Sequence, residues 1–447
     1  MTTTDAVARH DASPAPVAAP VLTGVLEPDA EALRRFIEIG EGVLADLPPR
    51  AVRSAQQQQT AADVHRRCRR LRTEFLARHA EAVHAECTDG GTTPARAAEL
   101  VVLAAERFPG LVPTTEQMAS EGVLEQPAKE GREIDQGLFL GAILSSPSAG
   151  RHLIESMQRP TARAERALAG FRRTGRAELG SIVLERRGQA AYLEVRNLPC
   201  LNAEDNALIG DMETAVDLTL LDDTVRVGVI RGGVMTHPRY RGRRVFSAGI
   251  NLKDLHGGRI SYVDFLLGRE IGYLNKIVRG LRHADGAVTA KPWIGAVDSF
   301  AIGGGTQILL VLDMVIAAAD SFLSLPAADE GIIPGLANLR LTRAVGSRIA
   351  RQVILGGRRI AATEPDARLL VDRVVDPDAM DDAVAEAVEA LAKPAVVANR
   401  HMLNLAEEPL EVFREYLAEF AIAQAERIYE PDVMAKLAAF GSRGGTG

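Results

Sequence analysis

Cysteine is scarce. The 447 residues hold three, Cys68, Cys87 and Cys200, with no Cys-x-x-Cys pair. That excludes a disulfide-stapled scaffold and a cysteine zinc site, and makes a reducing cytoplasm the expected compartment. Aromatic residues are only 4%, with one Trp, too few for a base-stacking nucleic-acid surface. A basic excess is also missing. Lys+Arg 52 against Asp+Glu 59 gives a net charge of −7, which argues against a nucleic-acid partner. Lysine supplies just six of the 52 basic residues, a bias of coding composition rather than of chemistry. No run of 18 or more apolar residues exists, so no segment reads as a membrane span. Residues 1–20 lack the basic start and apolar stretch of a signal peptide. Their Ala, Pro, Thr and Ser content reads as a disordered arm over residues 1–21.

What is present is globular: 47% hydrophobic and 25% charged residues. The length exceeds one ordinary core. Residues 22–179 read as an α-helical domain. Asp29 is placed to cap a helix through Asp46, stopped by Pro48-Pro49, and a longer helix is expected from about Thr60 to Glu86. Thr93-Pro94 is expected to open a third, with Pro at the first helical position. Further apolar runs lie at Leu138–Leu144 and Ala162–Phe171. The basic cluster Arg66, Arg67, Arg69, Arg70 and Arg72 reads as a solvated helix face.

The pattern changes at Gly180. Strands are expected at 181–187 and 190–197 around a Gly188-Gln189 turn, then at 225–231 and 292–298. Helices are expected at 203–220, over most of 253–282, at 304–318, and from Ala350 onward. Alternating strand and helix predicts an α/β layered domain over residues 180–400. Residues 401–447 read as C-terminal helices that form part of a lid: one after Pro409 carrying Leu410, Phe413, Leu417 and Phe420, then a tail ending near Phe440.

Two glycine segments carry the chemistry: Val245-Phe-Ser-Ala-Gly-Ile-Asn-Leu-Lys-Asp254 and Ala296-Val-Asp-Ser-Phe-Ala-Ile-Gly-Gly-Gly-Thr-Gln-Ile308. A glycine turn at a helix start leaves backbone N–H groups free, backed by the positive end of the helix dipole. Two such groups aimed at one point make an oxyanion hole. Two tight turns without a ligand are the alternative reading. No metal-ligand cluster stands out, and no Gly-x-Gly-x-x-Gly fingerprint occurs, since Ile308 takes its third position.

Together these segments resemble the crotonase (enoyl-CoA hydratase/isomerase) superfamily. Three further stretches match in order: Leu198-Pro-Cys-Leu-Asn-Ala203, Phe322-Leu-Ser-Leu-Pro-Ala-Ala-Asp-Glu-Gly-Ile-Ile-Pro-Gly335 and Ala367-Arg-Leu-Leu-Val-Asp-Arg-Val-Val375. The resemblance implies a crotonase-like ββα superhelix and an acyl-CoA thioester ligand. It places the oxyanion hole at the backbone N–H groups of Ile250 and Gly304, and substrate or CoA contacts at Ala248, Gly249, Asn251, Leu252, Gly303 and Gly305. The superfamily's hydratases carry two glutamates in this site. At those positions this chain has Gln307 and Ala327. Gln takes no proton at neutral pH and Ala offers nothing polar, so paired-carboxylate hydration is not expected. Asp329 and Glu330 compensate only if the local alignment slips by two or three residues.

Within the superfamily the chain resembles a branch of cofactor-independent oxygenases acting on 3,5-dihydroxyphenylacetyl-CoA in glycopeptide-antibiotic biosynthesis. That resemblance implies conversion of the thioester and O2 to 3,5-dihydroxyphenylglyoxylate and CoA, with no metal and no flavin. It assigns Glu204, Arg269 and Gln307 as polar groups around the aryl ring and thioester, and Ile332 and Val433 as walls of an oxygen pocket. His237, Pro238, Arg239 and Tyr240, in an insertion beside the route by which CoA enters, are expected as substrate contacts. Glu204 remains either a base, a ring-hydroxyl partner, or a favourable charge in a first helical turn. Arg269 either reaches the pocket or simply pairs with Glu270. Competing expectations are another enolate reaction, such as isomerisation or thioester hydrolysis, or a non-catalytic acyl-CoA-binding protein. A homo-oligomer, trimer or hexamer, is expected by analogy.

Overall fold

The computed structural model describes residues 18–433, 435 and 436. Most of the expected N-terminal arm and the tail toward Phe440 lie outside the described residues. The chain enters through α1 (Leu26–Ala45), α2 (Ala55–Cys87), α3 (Ala97–Arg107), α4 (Thr115–Gly122), α5 (Arg132–Ser145), α6 (Pro147–Met157) and α7 (Ala162–Thr174). Ser54 caps α2 with Gln57 in a reciprocal capping box. Three boundaries differ from expectation. Asp29 lies inside the first turn of α1, where its carboxylate accepts from Thr23 and Gly24 and pairs with His79 at 2.8 Å. Helix α2 starts five residues earlier than expected because the Ser54 cap precedes the apolar stripe. Helix α3 opens at Ala97, not at Thr93-Pro94, because the Glu99 carboxylate reaches back to the Arg96 N–H at 2.8 Å. The arginine face of α2 is not uniformly solvated either: Arg72 is buried against Asp135 at 3.0 Å and the Gly110 carbonyl.

The sheets are built from β1 (Arg176–Glu178), β2 (Ile182–Arg187), β3 (Ala190–Val195), β4 (Val227–Gly232), β5 (Leu281–Arg282), β6 (Val288–Thr289), β7 (Trp293–Val297), β8 (Phe300–Ile302), β9 (Met314–Ala318), β10 (Phe322–Ser324), β11 (Ile360–Ala361) and β12 (Arg373–Val375). The main sheet runs β1-β2-β3-β4-β7-β9-β12 and is parallel from β3 to β12. A smaller sheet, β11-β10-β8, takes β8 and β10 in parallel. The chain leaves β7, turns at Asp298-Ser299 and enters β8, so it steps from one sheet to the other immediately before the glycine turn. The helix expected over 304–318 is therefore corrected: a helix occupies only Gly304–Leu309, and Met314–Ala318 is strand β9. Met-Val-Ile-Ala-Ala is almost wholly buried between parallel neighbours and has no polar position to betray its period. From Ala350 the helix ends at Ile354, and β11 and β12 intervene before the next one.

The remaining helices are α8 (Asn206–Leu221), α9 (Leu252–His256), α10 (Asn275–Arg279), α11 (Gly304–Leu309), α12 (Ala327–Glu330), α13 (Ala337–Ile354), α14 (Met380–Leu391), α15 (Pro394–Glu407) and α16 (Leu410–Arg427). One hydrophobic core runs from Leu22 through the helices and sheet to Val433. Helix α16 lies directly on α5. A Cβ at Gly137 would stand 2.5 Å from the Ala425 Cβ, and one at Gly141 2.6 Å from Ile422. Small residues one turn apart let the two helix axes approach that closely. Among the described residues, no helix is long and apolar enough to cross a membrane.

Candidate active site

The two glycine turns pack against each other. Ile302 donates to the Ser247 carbonyl at 2.9 Å, and a Cβ on Gly303 would lie 3.3 Å from the Gly249 Cα. Gly303 holds φ 52°, ψ −116°, which disfavours any side chain, and so turns β8 sharply into α11. On the other turn, the Glu204 N–H donates to the Gly249 carbonyl at 2.7 Å, and the Asn251 N–H donates to the Glu204 carbonyl at 2.8 Å. Pairing on both sides of Ile250 turns the Ile250 N–H away from Glu204. Among the described residues, neither the Ile250 nor the Gly304 N–H donates a hydrogen bond. Both residues line one cavity of about 40 Å³, with Glu204, Arg269, Gln307, Glu330, Ile332 and Phe420 on its walls.

Arg269 organises that cavity. It sits between two π-helical turns, Tyr262–Leu267 and Glu270–Leu274, a local widening that recurs at functional sites. Its Nε lies 3.2 Å from Glu204 Oε1, its Nη1 lies 3.0 Å from Glu270 Oε1 and 2.8 Å from Gln307 Oε1, and its Nη2 donates to the Gly304 carbonyl at 2.7 Å. The Tyr273 hydroxyl adds a bond to Glu204 Oε1 at 3.3 Å. Glu204 Oε2 stands directly over the Gly304 Cα, where a Cβ would be 1.7 Å away. Position 304 therefore excludes a side chain.

The charges continue outward in alternation. Glu270 Oε2 lies 3.6 Å from Arg340 Nη1. Arg340 grips Glu408 at 2.9 and 3.1 Å, and Arg279 reaches the same carboxylate at 3.0 Å. Burial opposes ionisation of Arg269, yet Glu204, Tyr273 and Glu270 outweigh it and hold the guanidinium above its ordinary value. Burial pushes the Glu270 carboxyl up, against the pull of Arg269 and Arg340. For Glu408, burial is overcome by Arg340 and Arg279, and the carboxyl falls to about 2 from 4.5. A depressed carboxyl stabilises the fold above its unfolded value, and that contribution is lost as pH falls through the folded value. Acid unfolding of a Glu408→Gln variant should thus depend less on pH between about 4.5 and 2 than wild type; an unchanged slope in pH-dependent urea titrations would contradict this pairing.

Glu204, Ile250, Arg269, Gly303, Gly304, Gln307 and Ile332 share this cavity. Val433 is buried beside it, with its Cγ2 2.9 Å from where a Gly331 Cβ would lie. Gly305 packs on Ser247, and Ala248 donates to the Leu201 carbonyl. His237, Pro238, Arg239 and Tyr240 are not on the cavity wall. They form a short turn capped by His237, whose ring lies 6.2 Å from that of Tyr240. Asn251 uses its side-chain oxygen as the cap of α9, accepting from Lys253 and Asp254, and Leu252 is the first residue of that helix. Asn251→Ala should cost about 1 kcal/mol in urea denaturation; a loss well beyond that would point to a further role.

Sequence reasoning expects the C-terminal helices to act as a lid, but not the contacts by which α16 holds the cavity wall. Gln424 Oε1 accepts from Ile333 at 2.9 Å, Arg427 Nε donates to the Gly331 carbonyl at 2.8 Å, and the Tyr416 hydroxyl donates to the Gly335 carbonyl at 3.2 Å. An amphipathic stripe predicts that a helix is packed, but not which loop its polar residues reach. Tyr273 and Arg340 were also not anticipated, since pairing across elements leaves no local spacing to read. Among the described residues, no group of three or more His, Cys, Asp or Glu could hold a metal ion.

Paired glycine turns at the junction of two sheets define the class: the chain belongs to the enoyl-CoA hydratase/isomerase family, whose model matches residues 185–415. Its fold is the crotonase fold of that family, extended by helices at both ends. The chain is 56% identical over 421 residues to the (3,5-dihydroxyphenyl)acetyl-CoA 1,2-dioxygenase of Amycolatopsis orientalis, covering 93% of this chain and 97% of that protein. It is 30% identical over 228 residues to a probable enoyl-CoA hydratase of Rhizobium meliloti, covering 50% of this chain and 81% of that one. An enoyl-CoA hydratase/isomerase structure from Xanthobacter autotrophicus superposes with a TM-score of 0.50 at 24% identity, over 59% of this chain and 94% of that one.

Proposed function

We propose that the protein is a dioxygenase that converts 3,5-dihydroxyphenylacetyl-CoA and O2 to 3,5-dihydroxyphenylglyoxylate and CoA, using neither metal nor flavin. The observation that carries this reading is the similarity, over nearly the whole of both chains, to a dioxygenase named for that substrate. The family's hydration chemistry is disfavoured by Gln307 and Ala327 at the two positions where it uses glutamates.

The thioester oxygen binds between the Ile250 and Gly304 N–H groups. Loss of an α-proton places negative charge on that oxygen, and two preorganised donors stabilise it by ~3 kcal/mol each. The α-carbanion is spread over the thioester and the aryl ring, so it can pass an electron directly to O2. Recombination gives a peroxide at the α-carbon. Its terminal oxygen attacks the thioester carbonyl and expels the CoA thiolate; loss of the second α-proton then turns that C–H pair into the keto C=O as the O–O bond breaks, leaving the α-keto acid. Glu204 and Gln307 address the ring hydroxyls. Arg269, with four hydrogen bonds from its guanidinium, is a positioning residue that fixes both of them and the Gly304 peptide. Ile332 and Val433 supply an apolar place for O2, and α16 keeps water from the intermediates. A homo-oligomer, trimer or hexamer, and a cytoplasmic location belong to the same reading; exposed Met402, Leu403 and Leu405 on α15 are consistent with a covered face.

The test combines the protein, a chelator, aerated buffer and the dihydroxyphenylacetyl thioester. One glyoxylate and one CoA per O2 consumed is the expected result. CoA release without O2 uptake would identify a hydrolase, and binding without turnover a non-catalytic protein.

A further inference from the structure

The reaction needs a group that takes the α-proton. Where the family's hydratases place a glutamate after the proline, this chain has the buried Ala327. One turn further along α12, Glu330 lines the same cavity as Ile250 and Gly304. The cavity is about 40 Å³, room for only a few waters, and Glu330 is one of its lining residues. Each of the other two carboxylates on that wall is tied into a charge network: Glu204 Oε1 to Arg269 and Tyr273, and Glu270 through Oε1 to Arg269, with Oε2 accepting no hydrogen bond but lying 3.6 Å from Arg340. Among the described residues, no hydrogen bond or ion pair engages the Glu330 carboxylate. Glu330 also precedes the Gly331-Ile332 corner, where Ile332 faces the cavity and Val433 packs.

We propose that Glu330 is the catalytic base of this site. The inference rests on the function proposed above. The α-carbon C–H bond breaks, its electron pair becomes the enolate double bond, and the displaced π pair moves onto the thioester oxygen between the two N–H groups. The proton forms an O–H bond on Glu330, which returns it to the CoA thiolate when the thioester bond breaks. The second α-proton leaves to solvent as the O–O bond breaks, its C–H electron pair becoming the keto C=O, so that both α-hydrogens and all electrons are accounted for over one turnover.

The surroundings suit this task. Burial, with the Asp329 charge adding to it, raises the Glu330 carboxyl to about 7, the range in which a base both accepts and returns a proton near neutral pH. The charged groups facing this wall are Asp329 from α12 itself, Glu204, Arg269 and Glu270 across the cavity, and Arg427 and Lys436 from the C-terminal side. Arg427 donates to the Gly331 carbonyl and to Asp432, and Lys436 donates to the Ala328 carbonyl at 3.2 Å.

The experiment measures α-hydrogen exchange of 3,5-dihydroxyphenylacetyl-CoA in D2O with oxygen excluded, alongside aerobic turnover. Wild type should exchange, with a rate that rises with pH through about 7. Glu330→Gln should lower both exchange and kcat by roughly 10²–10⁴-fold, leave KM little changed and remove the rising limb. Formate should restore part of the exchange to Glu330→Ala, and Asp329→Asn should keep the activity. Wild-type exchange and an unaltered pH limb in Glu330→Gln would overturn the assignment. Should that variant not fold, the wild-type profile decides: a limb near neutrality supports the assignment, and a flat profile overturns it. If wild-type protein neither exchanges nor consumes O2, the proposed function itself fails, an outcome distinct from the loss of this base.

Discussion

Gly304→Ala is expected to lose roughly 10²–10³-fold in kcat/KM, the scale of removing one oxyanion donor. The added Cβ would stand 1.7 Å from Glu204 Oε2 and 2.6 Å from its Cδ, so one of them must move. Glu204 cannot yield cheaply, because it is buried and held by Arg269 and Tyr273. The start of α11 must then shift, and with it the N–H assigned to the thioester oxygen. If Glu204 moved instead, its ring-hydroxyl role and its pairing with Arg269 would be disturbed together. Initial rates of O2 uptake check this, with circular dichroism confirming that the fold persists. A variant within a few-fold of wild type would show that the Gly304 peptide tolerates displacement and does not hold the oxyanion.

Arg269→Ala should both silence the enzyme and destabilise it, by about 3–5 kcal/mol in urea denaturation. The guanidinium meets Glu204, Glu270, Gln307 and the Gly304 carbonyl at once. Its removal leaves two buried carboxylates facing each other with one fewer cation between them. Arg269→Lys should recover little, since an ammonium cannot reproduce a planar five-donor fork. Full turnover with unchanged stability would refute the positioning role.

The sequence reading succeeded where local pattern carries the information. Strands 182–187, 190–195, 227–232 and 293–297 and helix Leu410–Arg427 fall within a few residues of expectation, because alternation and stripe are written into consecutive residues. Strand Met314–Ala318 departs from the expected helix because a uniformly apolar run has no period to measure. The short edge strand Arg176–Glu178 was missed because nothing in Arg-Ala-Glu distinguishes it from a turn. Ile250, Gly304 and Gln307 stand out through spaced motifs, and Glu204, Arg269 and Ile332 only through the family resemblance; all six line one cavity. Glu330 has no motif to mark it, because it is displaced from the family position at 327. Only the turn of α12 carries it to the wall. The network through Arg340 and Glu408 joins residues 68 apart in the chain, a pairing invisible to any local window.

The close contact of α5 with α16 joins an early helix to one near the other end of the described chain. As the polypeptide is made, the apolar side of α5 emerges long before its cover and waits uncovered on the ribosome. The same late helix holds residues 331–335 through Gln424, Arg427 and Tyr416. A nascent chain stalled before residue 410 would already contain both glycine turns and every motif of the site. It would still be inert, because its reaction chamber becomes a chamber only when α16 docks.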